Sequence, residues 1–322
     1  MNIKEYLREA RQIPGSGDKI EYMSMRDKML GNALVNSQRN TPGVGCNYEA
    51  DVTRLLEIFD EVRKNCDYRL TFNALMTKIL VEGLKVAPRL NAHFIYNHRA
   101  TAGKLVIKKH IDVSMAICLD ENKTFQIKIM HLEDKNLKET ALLIEDAKRR
   151  LEKTDLDDVM YETSRQRLIG ELTYGRILSP LSQTLSACFG KGKVIHLPKS
   201  LKNDFLKLTG KKPFYNPEGL RPEELNEGSV CFTNWGTLYD NLNTNITYIP
   251  PVYPQVFLFG IGRTKDKDYV YKDENGNLQL TTKKILPLSL IFDHKIGGAV
   301  EIMPFIRKLD EIFENPEIIL TW

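Results

Sequence analysis

The sequence has no uninterrupted apolar run long enough to cross a bilayer. Its first residues, MNIKEYLREARQIPG, contain no apolar core of the kind a secretory signal needs. The five cysteines (Cys46, Cys66, Cys118, Cys188 and Cys231) are odd in number and scattered, and no CxxC or Cys/His pair has zinc-finger spacing. Together these absences argue against a membrane protein, a disulfide scaffold or a zinc finger. They lead to the expectation of a cytoplasmic chain with reduced thiols. No Lys/Arg block stands out, and the aromatics are not interleaved with basic stripes. A formal net charge of +4 over 322 residues is weak, so no nucleic-acid partner is expected. Repeats, low-complexity tracts and linker-like stretches are also missing. What is present is an ordinary globular balance, 42% hydrophobic and 27% charged, in a chain long enough to bury a core without metal or disulfides.

The hydrophobic pattern alternates amphipathic helices with strands. Val52, Leu55, Leu56, Phe59 and Val62 recur at helical spacing and predict a helix over 51–64. Thr71 reads as an N-cap for FNALMTKILVEGLKV, which Pro88 ends. Residues 104–119 and 124–130 read as strands around a turn at Asp120–Lys123, and 134–152 as a charged, solvated helix. Further strands are expected in GSVCFTN, QVFLFGIGR and DYVYKDENGNLQLTTKK, the last folded at Asn275-Gly276. The chain then closes with the strand ILPLSLIFDH, a Gly297-Gly298 turn and a helix from Ala299 to Glu314. Residues 155–220 look partly helical, with no fold role legible. This mixture predicts an α/β two-layer sandwich with a mixed β-sheet.

Two segments could carry chemistry. In FDHKIGG, at 292–298, a hydrophobic strand ends in Asp293-His294 and a Gly-Gly turn leads into a helix. A histidine at such a rim can act as a general base near neutral pH; the alternative is a hydrogen-bonded structural histidine. In FTNWGT, at 232–237, Thr233 and Asn234 bring a hydroxyl and an amide to a strand end, where they could hold an oxyanion or simply build a turn. The GIG at 260–262 lacks the third glycine and following helix of a dinucleotide loop. His93, His98, His110, His131 and His196 show no metal spacing, so no bound metal is expected. Cys231, beside FTNWGT, is more simply a buried thiol than a nucleophile.

These two segments, in this order and at this separation, resemble the catalytic domain of the dihydrolipoamide acyltransferases, the core component of 2-oxoacid dehydrogenase complexes. More distantly the chain is similar to chloramphenicol acetyltransferase. The resemblance extends through EADVTRLLEIFDEVRK, LTFNALMTKILVEGLKVAPRLNAHF, HIDVSMAICL, VCFTNWGT, VFLFGIGR and the terminal LPLSLIFDHKIGGAVEIMPFIRKLDEIFENPEIIL, covering about 20–130 and 228–320. It implies a chloramphenicol acetyltransferase-like fold. It also implies a homotrimer with active sites between subunits, where coenzyme A and the acyl acceptor enter from opposite ends of a channel. Carried over position by position, His294 is the general base and Thr233 replaces the family's oxyanion-binding serine. Arg26, in MSMRDKM, takes the place of an arginine that buttresses the histidine motif, and Asp293, Asn234 and Gly298 support the site.

The departures shape the expectation. The family motif is Asp-His-Arg-x-x-Asp-Gly, whereas this chain has Lys295 after the histidine and Gly298 in place of the second aspartate. Losing that carboxylate is expected to deprive Arg26 of a partner and loosen the turn, without removing the base. No lipoyl domain or peripheral subunit-binding domain is recognised, and 155–220 is longer than the family's link. The expectation is therefore one catalytic domain over 1–322 with an enlarged insertion. It would be a stand-alone enzyme moving an acyl group between coenzyme A and a thiol, hydroxyl or amine acceptor, with no lipoyl group of its own. The insertion is expected beside the channel mouth, with Ile177, Leu178, Leu181, Leu185 and Phe189 available for packing. The alternatives are a trimeric scaffold that has lost its chemistry, or an enzyme served by a lipoyl carrier on a separate chain.

Overall fold

The computed structural model describes residues 15, 17–97, 100–120, 123–173, 178–236 and 248–322. His98, Ile177, Thr237 and the centre of the expected turn at Asp120–Lys123 lie outside the described residues. In chain order the elements are α1 (Met25–Asn40), β1 (Gly43–Asp51), α2 (Thr53–Asn65), α3 (Phe72–Val86), β2 (Ala92–Asn97), β3 (Ala102–Ile107), β4 (Val113–Asp120), β5 (Lys123–Ile129), α4 (Leu137–Glu152), α5 (Leu156–Thr173), α6 (Leu178–Cys188), α7 (Leu197–Leu208), β6 (Val230–Asn234), β7 (Phe257–Ile261), β8 (Lys265–Lys272), β9 (Leu278–Asp293) and α8 (Ala299–Glu314). They fall into two compact units: a smaller one, Met1–Gly31 with Ser164–Lys212, and a larger one, Asn32–Thr163 with Pro213–Trp322. No helix among the described residues is long and apolar enough to cross a membrane.

The larger unit is built on a mixed sheet of seven strands in the order β1-β9-β7-β6-β4-β5, with β8 also paired to β9. The pairs β4–β6 and β6–β7 are parallel; β1–β9, β7–β9, β4–β5 and β8–β9 are antiparallel. β2 and β3 form a separate hairpin. Because side chains alternate along a strand, each row across the sheet belongs to one face. Phe232, Phe259 and Leu290 share a row, as do Phe257 and Phe292, and this face receives the helices. Phe305 of α8 packs edge-on against Phe257 and Phe259, at ring-centroid separations of 5.0 and 6.0 Å. Gly83 of α3 lets α8 approach closely, since a Cβ there would fall 2.5 Å from the Phe305 ring. α3 is buried almost all round, which explains its apolar composition, and the Thr71 hydroxyl caps it by accepting from Ala74 N–H.

The opposite face of the sheet is different. One of its rows, Cys231, Leu258 and Ile291, is an apolar cluster; the next, Thr233, Gly260 and Ser289, is smaller and more polar. Ile249 packs on the first row; the second row includes the candidate hydroxyl.

Two strand boundaries differ from the sequence reading. Residues 104–119 are not one strand: β3 ends at Ile107, β4 begins at Val113, and the two belong to different sheets. The apolar alternation runs through the break, but Asn91 accounts for it, because its side-chain amide donates to the carbonyls of Lys108 and His110 at 3.1 Å each and turns the chain. Conversely, the strand segments expected over 278–284 and 285–293 are one continuous β9, held by β8 in its first half and by β1 in its second. The helix over 134–152 is half-buried rather than a purely solvated face, with Leu137, Ala141, Ala147 and Leu151 in the core. α1 and β2 had no pattern strong enough to mark them.

Within the larger unit, the chain just before α5 lies beside the chain that follows Lys212. Asn216 Nδ2 donates to the Lys153 carbonyl at 3.0 Å, and Leu220 N–H donates to Thr154 Oγ1 at 2.8 Å. Arg150 forks onto the buried Glu224 carboxylate through both terminal nitrogens. The stretches of the larger unit that precede and follow Ser164–Lys212 are thus bound to each other, and the Thr163 hydroxyl also reaches the Pro222 carbonyl at 3.5 Å. Replacing Ser164–Lys212 by a short glycine–serine linker should therefore leave a chain that still unfolds cooperatively, as followed by circular dichroism during heating. Loss of the cooperative transition would show that the segment is required for folding.

Candidate active site

β9 is an interior strand paired with β1, β7 and β8 and ends at Asp293, which places His294 at the sheet rim, as the sequence pattern predicted. His294–Ile296 form a single 3₁₀ turn. The His294 N–H donates to the Pro42 carbonyl at 2.9 Å. Its ring is exposed, 6.3 Å from the Phe292 ring, and makes no hydrogen bond among the described residues. A ring so placed can give or take a proton at a surface reached by another molecule.

The setting of that turn is dominated by Asp293 together with Lys295, Arg89 and Glu301, three charged residues to which the sequence pattern gives no role. Asp293 is only 1% exposed. Its carboxylate accepts the Lys295 N–H at 3.0 Å and pairs with the Lys295 ammonium, which also donates to the Asn40 carbonyl. The same ammonium lies 5.2 and 5.9 Å from the Phe94 and Tyr96 ring centroids, a favourable cation–π position. Lys295 therefore ties the histidine turn to α1 and to the β2–β3 hairpin. On the other side, Arg89 donates to the Ile296 carbonyl at 2.6 Å and pairs with Glu301 at 2.8 Å. Gly297 has φ +143°, and a Cβ there would lie 2.5 Å from Glu301, so the close contact requires glycine. The expected loosening at Gly298 is thus offset by Lys295, Arg89 and Glu301. Gly298 itself is the uncapped N-cap of α8 with open space where a Cβ would be. Arg26 is the second residue of α1 and belongs to the smaller unit.

Thr233 is half-buried, and its hydroxyl has no partner among the described residues. Asn234 points to the helix face, where its Nδ2 donates to Asn73 Oδ1 at 2.6 Å and its Oδ1 accepts the Gly236 N–H at 2.9 Å. Asn234 therefore builds the turn that follows Thr233. The glycines of GIG serve the same corner. Gly260 is Thr233's cross-strand neighbour, and Gly262 receives the backbone of Gly236, where a Cβ would fall 2.5 Å from the Gly262 carbonyl. Cys231 is buried, accepts from Gln126 Nε2 at 3.4 Å, and burial pushes its thiol up to about 12. It is a structural thiol, not a nucleophile.

Within one chain Thr233 and His294 do not meet. Thr233 pairs with Gly260, and Gly260 with Ser289, five residues before His294. At strand dimensions that is about 16 Å along the sheet and about 10 Å across it. His93 stands apart from both. Its Nε2 lies 2.7 Å from the Gly228 carbonyl, and burial lowers its imidazole to about 4, so it is neutral. His110 and His131, by contrast, are brought together with Glu133; spacing along the sequence hid this.

Two substitutions test this account of the turn. Lys295→Met leaves the Asp293 carboxylate buried without its cation and should cost about 3 kcal/mol of unfolding free energy, most of it regained by adding Asp293→Asn. Gly298→Asp supplies a side-chain cap in open space and should stabilise by a few tenths of a kcal/mol, roughly the difference between glycine and aspartate at an N-cap. Urea denaturation measures both. No loss in Lys295→Met would remove the pair from its supporting role.

Comparison with known proteins points the same way. The family model "2-oxoacid dehydrogenases acyltransferase (catalytic domain)" matches residues 15–162 and 215–321. The succinyltransferase component of the 2-oxoglutarate dehydrogenase complex of Bacillus subtilis (strain 168) is 21% identical over 319 residues, covering 97% of this chain and 58% of that protein. The acetyltransferase component of the pyruvate dehydrogenase complex of Staphylococcus epidermidis is 24% identical over 314 residues, covering 96% and 53%. The chain thus spans about half the length of the curated relatives it matches. Among solved structures, a probable dihydrolipoamide acetyltransferase from Listeria monocytogenes 4b F2365 superposes with a TM-score of 0.59 at 15% identity, covering 93% of this chain and 96% of that one. The cubic core of the pyruvate dehydrogenase multienzyme complex gives 0.59 at 18%, covering 96% and 98%. With four-fifths of its length matched by the family model and the same fold in solved relatives, the chain belongs to the family of 2-oxoacid dehydrogenase acyltransferase catalytic domains.

Proposed function

We propose that this chain transfers an acyl group between coenzyme A and a thiol, hydroxyl or amine acceptor, in a site completed by two copies of the chain. One observation carries the reading. A hydroxyl without a hydrogen-bond partner among the described residues and an exposed imidazole, each on a regular strand end, are held far apart by the register of a single sheet. They can act on one reacting centre only if different copies supply them. A homotrimer is the arrangement expected from the resemblance. In the acetyltransferase of Azotobacter vinelandii, a serine, a histidine and an asparagine were investigated for their role in the catalytic mechanism, the last two lying four residues apart. His294 and Gly298 have that same separation here.

The chemistry follows from the groups. The His294 imidazole takes the proton of the acceptor's X–H group as its heteroatom attacks the thioester carbonyl of acyl-coenzyme A. The C=O electrons move onto oxygen, and the Thr233 hydroxyl of the neighbouring copy donates a hydrogen bond to that oxyanion. Collapse of the tetrahedral intermediate breaks the carbon–sulfur bond, and the imidazolium returns its proton to the departing thiolate. Holding both substrates in one channel contributes at most about 7–11 kcal/mol to the rate. Lys295 and Arg89 contribute by keeping the histidine turn in one setting. Gly298 removes a carboxylate from the turn but none of the reacting groups.

With acyl-coenzyme A as donor and thiol release as readout, His294→Ala should lower turnover by about 10²–10⁴ and Thr233→Ala by about 10²–10³, while Thr233→Ser stays near wild type. Co-expressing His294→Ala with Thr233→Ala decides whether the site is shared. In a three-fold assembly, random mixing restores roughly a quarter of the sites. Recovery to that level supports a site between copies. Persistent inactivity of the mixture, with each parent assembled, would place both groups' work within one chain and overturn the reading.

A further inference from the structure

Three side chains with no part in acyl transfer meet at the end of the β4–β5 pair remote from Thr233. His110 lies in the link before β4, and His131 and Glu133 lie in the turn after β5. One nitrogen from each imidazole and one Glu133 oxygen all lie within 4.8 Å of one another. His110 Nδ1 is hydrogen-bonded to Glu133 Oε1, and Glu133 Oε2 accepts the Ile111 N–H at 2.9 Å. The two imidazoles stand edge to face, 4.4 Å between centroids. His131 holds a left-handed backbone, φ +59°, that costs a residue other than glycine about 1 kcal/mol or more. Its N–H is fastened to Asp112 Oδ1 at 2.9 Å. The strained residue is therefore the one whose ring completes the cluster.

We propose that His110, His131 and Glu133 form a binding site for a divalent transition-metal ion, Zn²⁺ in the first instance, with its remaining coordination position open to solvent. The donor set decides the class of ion. Two imidazoles and a carboxylate suit borderline-soft ions such as Zn²⁺, whereas Mg²⁺ and Ca²⁺ take oxygen ligands. In a tetrahedral zinc site with metal–ligand distances near 2.1 Å, neighbouring ligand atoms are about 3.4 Å apart, so side-chain rotation alone closes this cluster to binding distances. The Ile111 N–H bonded to Glu133 Oε2 orients the carboxylate from outside, as an outer-shell partner does in metal centres. His131 is exposed and the other two are half-buried, which leaves the ion a route in. β5 is the edge strand of the sheet, so a bound ion would clamp the two chain segments that flank the edge pair.

The test is zinc binding to the full-length chain after chelator stripping, measured by competition with a chromophoric chelator. His131→Gly is the informative variant: it removes a ligand while suiting the left-handed backbone, so its fold should be at least as stable as the parent's without metal. Glu133→Gln removes the carboxylate's charge at nearly constant shape. The expected result is one Zn²⁺ per chain, a raised melting temperature on zinc addition, and affinity falling by more than about 10–100-fold in each variant, the effect that loss of an outer-shell partner alone can have. Absence of stoichiometric binding at micromolar zinc would overturn the proposal. So would binding that both variants retain, since the ion would then sit on other histidines or thiols.

Discussion

The Asp293 carboxylate, 1% exposed at the end of the interior strand β9, has to be answered by a cation, and the cation's position decides how the histidine turn is built. A lone buried carboxylate costs several kcal/mol. The Lys295 ammonium meets that cost and is itself satisfied by the Asn40 carbonyl and two aromatic faces. One short side chain interaction thereby joins β9, α1 and the β2–β3 hairpin. His294 stands between the two paired residues, so its backbone is fixed from both sides while its ring stays in solvent. An exposed imidazole and a firmly tied backbone are thus combined within three consecutive residues.

The sheet imposes the second constraint. Its helix-bearing face takes the large aromatics, Phe232, Phe257, Phe259 and Phe292, which fill the space under α3 and α8. Its other face carries one apolar row, Cys231, Leu258 and Ile291, and beyond it a row of threonine, glycine and serine. Alternation alone produces this division, and it explains why a hydroxyl can be presented on a rigid strand: Thr233 occupies the polar row because Phe232 and Asn234 occupy the packed one. The same register carries His294 away from Thr233, so the economy that mounts each group also keeps the two from meeting inside one chain.

Much of this was legible in the sequence. The strand–turn–helix around His294 follows from an apolar run, two glycines and a periodic helix, and the Thr71 cap and the Asn275-Gly276 hairpin were equally plain. Local signals failed where the decision was tertiary. Asn91 divides 104–119 from a distance, and β9 runs on through polar residues because β8 and β1 pair with it in turn. The site's supporting residues were hidden for a similar reason. Arg89, Lys295 and Glu301 look like ordinary surface charges in sequence, and only their meeting around Ile296 and Asp293 marks them. Asn234 is a different case: an asparagine at a strand end is a local turn signal, and its amide does close the turn onto the Gly236 N–H.

The two adjacent glycines of the histidine turn have unequal histories ahead of them. Gly297 is fixed by its backbone angle and by Glu301, so any mutation there meets both strain and collision. Gly298 faces open space. Every glycine codon lies a single base from one for an acidic residue, so the carboxylate missing from this motif could return in one mutational step without repacking anything. Packing does not hold the motif in its present form. Glycine at this position is therefore a matter of the turn's charge and capping, not of room.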